Sequence, residues 1–127
     1  MKISTCLLAL GAGAAALIAG SAAISAAAKG EKNGFALVRN NGFPAGGQNV
    51  DSTERLNTGT YAIEFKSSVK KCAYLATLGR PLITESQQGF ISVVPRPGSD
   101  NGIVVFTANA LGDLQDRDFH VGVFCKV

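Results

Sequence analysis

The carboxyl-terminal stretch Phe119-His120-Val121-Gly122-Val123-Phe124-Cys125 alternates with a period of two. That period belongs to a β-strand with unlike faces. It puts Phe119, Val121, Val123 and Cys125 on one side and His120, Gly122 and Phe124 on the other. Short apolar runs recur upstream, each cut off by Gly, Pro or Asn, and beyond residue 28 no stretch carries apolar residues at helical spacing. Together these features point to an all-β chain of short antiparallel strands.

Taken in order, Phe35-Ala36-Leu37-Val38 reads as a first strand. Residues 40–47, rich in Asn, Gly and Pro, read as a turn region that cannot be helical. Residues 50–56 read as a second, more polar strand. Thr60-Tyr61-Ala62-Ile63-Glu64-Phe65 is the clearest strand, with Tyr61, Ile63 and Phe65 pointing one way. Residues 66–71 are polar and basic and are expected to be a loop. A strand over 71–78 follows, with Cys72, Tyr74 and Ala76 on one face. Residues 79–89 read as a connection containing a short strand at 82–84. Phe90-Ile91-Ser92-Val93-Val94 is a strand that must end at Pro95-Arg96-Pro97-Gly98, because prolines supply no ladder donors. Asp100-Asn101-Gly102 is the strongest hairpin signal, since Asn-Gly tolerates the positive φ of a tight turn. Ile103-Val104-Val105-Phe106-Thr107 returns, and 109–118 is an Asp/Asn-rich loop before the last strand. Seven or eight short strands with this punctuation predict an antiparallel β-sandwich, jelly-roll-like.

The first residues make a separate argument. Lys2 precedes an apolar run from Cys6 to Ala19, and small residues lead to Ala26-Ala27-Ala28 before Lys29. This is the pattern of a secretory signal peptide over 1–28, cleaved between Ala26 and Lys29. The alternative is an uncleaved anchor, since 7–28 is long enough to cross a bilayer. The run is mostly Ala and Gly, which favours removal. Cys6 precedes the apolar run rather than following it, which argues against lipidation. The organisation expected is therefore a leader at 1–28, a flexible charged segment at 29–34 and one domain at 35–127, secreted or periplasmic.

Removal of the leader takes the three cysteines to two, Cys72 and Cys125. An even pair in an oxidising compartment predicts a disulfide. It would close a loop of about 54 residues, for which chain entropy gives about 4 kcal/mol. The alternative is two free buried thiols.

Charge and motif content exclude more than they identify. The formal charge is +3, or +2 without Lys2, with no basic stripe of the kind a nucleic-acid partner requires. The single histidine, His120, and the single methionine rule out a copper site of the two-His, Cys and Met type. No cofactor or metal is expected. Asp113, Asp116 and Asp118 beside Asn109 could offer oxygen ligands to calcium, but their spacing is not that of an EF-hand and a solvated turn is the simpler reading. His120 could serve a hydrolase, yet no Gly-x-Ser-x-Gly elbow occurs beyond the leader. Lys66, Lys70 and Lys71 could touch an anionic glycan or phospholipid head group, or simply solubilise a loop. Several strands are apolar on both faces: Val104 and Phe106 against Ile103 and Val105, Ala73 and Leu75 against Cys72 and Tyr74, Phe124 against Val123. One face can fill the sandwich. The other needs cover, from loops lying across the sheet or from an oligomer such as a homotrimer.

The elements Gly59-x-Tyr61-x-Ile63-x-Phe65, Cys72-Ala73-Tyr74-x-Ala76 and Asp118-Phe119-His120-x-x-Val123-Phe124-Cys125 resemble a pattern in small exported bacterial proteins and in domains that end phage tail-fibre and collagen-like chains. The first is also similar to the Gly-x-Tyr-x-x-x-Phe of C1q/TNF-type jelly rolls. The resemblance spans roughly 58–125 and implies a compact contact head, often trimeric, without catalytic residues. The expectation is thus a non-enzymatic exported module that binds an envelope, glycan or protein partner and touches the membrane only through its leader if that is retained. Its contact elements are the 41–47, 95–101 and 109–118 loops, with Arg96, Asp100, Asp113, Asp116 and Asp118 as binding residues, or an exposed apolar sheet face. The alternatives are a small secreted hydrolase relying on His120 and a protease inhibitor presenting Arg96 from the 95–98 loop.

Overall fold

Alternation with a period of two obliges each run to bury one face, and eight runs solve that problem by stacking as two sheets. The computed structural model describes residues 32–126; the expected leader, its cleavage site and residues 29–31 lie outside the described residues. The strands are β1 (Gly34–Val38), β2 (Pro44–Gln48), β3 (Val50–Asn57), β4 (Thr60–Phe65), β5 (Cys72–Leu78), β6 (Phe90–Pro95), β7 (Gly102–Ala108) and β8 (Phe119–Cys125). Sheet A runs β2-β1-β8-β5 and sheet B runs β3-β4-β7-β6, every pairing antiparallel. The expected all-β sandwich is the observed one, and no described residue is helical.

The core forms where the inward faces meet. Tyr61, Ile63 and Phe65 of β4 and Ile103 and Val105 of β7 face Ala36 and Val38 of β1 and Phe119, Val121 and Val123 of β8. Tyr61 and Phe119 stack with ring centroids 4.9 Å apart at a tilt of 57°. Each fully buried side chain of this size contributes about 1.5–3 kcal/mol of transfer free energy. Among the described residues the buried cluster lies between Ala36 and Val123.

The last strand behaves as its pattern demands. Phe119, Val121 and Val123 are buried, while His120, Gly122 and Phe124 face outward. Cys72 and Cys125 are directly opposite in the β5–β8 register and form a disulfide, with Cα atoms 4.2 Å apart. The link therefore ties the edge strand β5 to its neighbour within sheet A.

Three local expectations are corrected. Within the turn-forming stretch 40–47 the chain forms β2, whose five residues are all exposed. A Cβ on Gly47 would sit 2.7 Å from the Phe35 carbonyl oxygen, so small residues are what let this edge strand approach β1. Asn49 alone, at φ 60°, separates β2 from β3 and turns the chain from one sheet to the other; asparagine tolerates that region. No strand forms at 82–84, where Leu82 is fully exposed at φ 67°.

The β6–β7 hairpin is not closed by a tight Asn101-Gly102 turn. A wider connection over 96–101 joins the strands, with the positive φ at Gly98. Its carbonyls are occupied elsewhere: Phe65 N–H donates to Asn101 O and Val69 N–H to Asp100 O, both at 2.9 Å. Those bonds dock the loop on the β4–β5 connection and fix a broader shape than the dipeptide alone prefers. The same connection, 66–71, is polar as expected except for Val69, which is fully buried in the core.

Candidate functional site: an uncovered face on sheet A

The outward positions of sheet A follow from its register. Phe35 and Leu37 of β1, His120, Gly122 and Phe124 of β8, and Ala73, Leu75 and Thr77 of β5 share one surface. Phe35 and Leu75 are both opposite Gly122, which has no side chain to fill the space between them. The result is an open trough of about 380 Å³ with Gly122 on its floor and Phe35, Leu75 and Phe124 on its walls. A Cβ at Gly122 would stand 3.1 Å from the Phe124 ring, so glycine lets that ring lie close. Leu75 keeps 65% of its surface exposed, Phe124 51% and Phe35 44%. None of these outward positions is Asp or Glu. Exposed apolar side chains that adjoin one another, unlike scattered ones, mark interaction surfaces.

One end of this face is cationic. Lys71 and Lys126 adjoin Cys72 and Cys125, just beyond the paired strands. Lys32, Lys70, Lys71 and Lys126 line a depression of about 250 Å³ around the disulfide. Among the described residues only Lys70 of these four has an ion pair, a loose one to Asp100 at 3.9 Å.

His120 is half-buried on the same face, with Leu37 and Thr77 as its cross-strand neighbours. Cys125 points the other way along the strand, as the period of two requires. No carboxylate stands on the face to orient the imidazole.

The charged residues of the loops are engaged in holding the fold. Arg96 Nη1 donates to Glu64 Oε2 at 3.0 Å, its Nη2 lies 3.9 Å from Glu54, and Ser99 Oγ donates to Glu64 Oε1 at 2.6 Å. A guanidinium held this way must break both pairs before entering a protease pocket. Asp100 is exposed beside Lys70.

Asp116 and Asp118 tie the 109–118 loop to the body at separate points. Asp116 accepts from Arg55 Nε at 2.9 Å and from Gly59 N–H at 2.8 Å. Asp118, nearly buried, accepts from Asn40 N–H at 2.7 Å and pairs with Arg80 at 3.3 Å. Asp113 is exposed, and Asn109 Oδ1 caps its own loop by accepting from Leu111 and Asp113 N–H. Among the described residues no group of three His, Cys, Asp or Glu could hold a metal ion.

Beneath that loop lies a polar contact that strand patterning could not reveal. Tyr61 is fully buried, and its hydroxyl donates to the Asn40 carbonyl at 2.8 Å and accepts from Arg117 N–H at 3.2 Å. Asp116 Oδ1 stands 3.3 Å away. Burial, reinforced by the Asp116 charge, pushes the phenol up to about 12. Partial burial works against the charge on Asp116. The Gly59 N–H and the Arg55 guanidinium outweigh it and hold that carboxyl below its usual range.

Comparison of the chain with protein-family models, with curated proteins and with solved structures finds no match.

Proposed function

We propose that this protein is an exported, non-enzymatic contact module that acts at the cell envelope or outside the cell, and that the outer face of sheet A is its contact surface. The carrying observation is the trough over Gly122: adjoining Phe35, Leu75 and Phe124 side chains left to water on a face with no carboxylate. The Cys72–Cys125 disulfide supports export, because such links persist in oxidising compartments. The leader pattern of residues 1–28 supports it independently. Against a hydrolytic role for His120 stand its neighbours Leu37 and Thr77, which offer no oriented acid. Against a loop-based site stand the ion pairs that already engage Arg96, Asp116 and Asp118.

The test is retention. Immobilised protein is exposed to envelope fractions and glycans beside the variant Leu75→Ser/Phe124→Ser. A partner held by the parent and released by the variant is the expected outcome. Equal behaviour of the two against every fraction would end this reading.

A further inference from the structure

Resting on that reading, we infer that the partner of the sheet A face is an anionic lipid surface, with the Phe35, Leu75 and Phe124 side chains entering the acyl boundary and Lys71 and Lys126 meeting the head groups. Three observations select this occupant.

First, the trough lies open along the sheet, bounded only by the side chains of three strands. Small-molecule sites bury most of their ligand in an enclosed cleft. A ligand lying here would leave much of itself in water, whereas an extended surface would cover every exposed apolar side chain at once.

Second, the net charge at both ends of the face is positive. Lys32, Lys70, Lys71 and Lys126 gather at the disulfide end, where Lys70 faces Asp100, and Arg39 and Arg80 lie at the opposite end, where Arg80 pairs with Asp118. With Asp100 at one end and Asp118 at the other, the described charges still sum to a positive balance at each. A second copy of the chain docked face to face would set cation against cation in either orientation. An anionic bilayer meets the same lysines with opposite charge, and long lysine side chains reach head groups while their stems lie along apolar ground.

Third, Lys71 and Lys126 adjoin Cys72 and Cys125, and the disulfide keeps the two lysines close together at the end of β5 and β8. Like charges held close together repel. The pair is therefore a cost to the fold that an anionic partner would turn into a gain. The preference extends to both parts of the surface, apolar and cationic, as interfacial binding requires.

The experiment is vesicle co-sedimentation of the protein recovered in its exported form, disulfide intact. Vesicles of phosphatidylcholine alone are compared with vesicles of equal parts phosphatidylcholine and phosphatidylglycerol. Binding to the anionic vesicles only, weakened by added salt, is expected. Lys71→Gln/Lys126→Gln should weaken it by about 30-fold, about five-fold for each lysine near a charged surface. Leu75→Ser/Phe124→Ser should abolish it. Both variants alter exposed side chains, and unchanged thermal unfolding verifies that each is folded.

Equal binding to neutral vesicles, or binding indifferent to the lysine pair, overturns the inference. So does capture by dextran sulfate with no capture by vesicles, and so does a dimer in sedimentation velocity that Leu75→Ser/Phe124→Ser dissolves. If vesicles fail but an envelope fraction still distinguishes parent from Leu75→Ser/Phe124→Ser, the lipid assignment falls and the contact-face reading stands. If neither distinguishes them, both fall.

Discussion

On the outer side of sheet B, Val104 and Ala62 are neighbours across β7 and β4, and both are buried. On the outer side of sheet A, Leu75 and Phe124 stand on adjacent strands and each leaves more than half its surface to water. Both sheets carry surplus apolar side chains; sheet B covers those of β4 and β7, while Phe90 and Val94 of its edge strand β6 stay exposed. The cover on β4 and β7 is charge: Glu54 is opposite Ala62, Glu64 is two residues along, and Arg96 bridges the two carboxylates. Long ionic side chains lie over apolar ground and keep their heads wet. Sheet A has no ionic side chain on its strands' outward positions, and a glycine stands at the centre. The contrast teaches that an apolar strand face is not itself a binding signal. What distinguishes the two is whether neighbouring side chains are of a kind that can lie across it.

The covalent link is the sharpest difference between the sheets. Sheet A fastens its edge strand β5 through Cys72–Cys125, whereas β6 of sheet B depends on its ladder and the Glu64 clasp. Replacing both cysteines with serine should lower the unfolding free energy by about 4 kcal/mol in denaturant titration. A loss below about 1 kcal/mol would mean that pairing with β8 holds β5 unaided.

Next in size is an alkaline effect from the layer the two sheets share. The Tyr61 phenol is raised in the folded state, so the stability tied to its neutral form is complete below pH 10. That stability is lost as pH rises from 10 toward about 12. The loss should approach about 3 kcal/mol across that window. Tyr61→Phe should flatten the profile there; an unaltered profile would assign the alkaline loss to other groups.

Smaller again is the clasp itself. Glu64→Gln should destabilise by about 2 kcal/mol, because Arg96 and Ser99 lose a charged acceptor. The cover over Val104 should loosen with it, which hydrogen exchange along β7 would detect. The smallest expected change is Leu75→Ser/Phe124→Ser on sheet A, within about 0.5 kcal/mol in thermal or chemical unfolding. A large loss there would mean that the face supports the fold and is not a contact surface.

Much of the architecture could be read from the residues. The alternation in 60–65 and 119–125 survives in the structure residue for residue, because a two-period run with one apolar side has a single way to hide it. The disulfide was legible for a different reason: setting Cys6 aside with the expected leader leaves Cys72 and Cys125 no other partner. The edge strand β2 was not, since an exposed edge needs one ladder and tolerates Pro44, Gly46 and Gly47. The hairpin at 100–102 misled because local dipeptide preference is worth less than the bonds from Phe65 and Val69 to its carbonyls. In the site, apolar excess on strands β5 and β8 was visible in advance, while the loop acids Asp116 and Asp118 drew attention for charges that prove to be engaged in ion pairs.

By itself the sequence determined the fold class, the inward residues of the long strands and the cysteine pairing, because period, punctuation and cysteine number are properties of the chain read one residue after another. Only the tertiary structure decided which apolar face stays bare. That depends on Arg96 reaching back to Glu64 and Glu54 on one sheet, and on Phe35, Leu75 and Gly122 meeting across three strands on the other. Such meetings join residues far apart along the chain, and the relation exists only once the strands have taken their register.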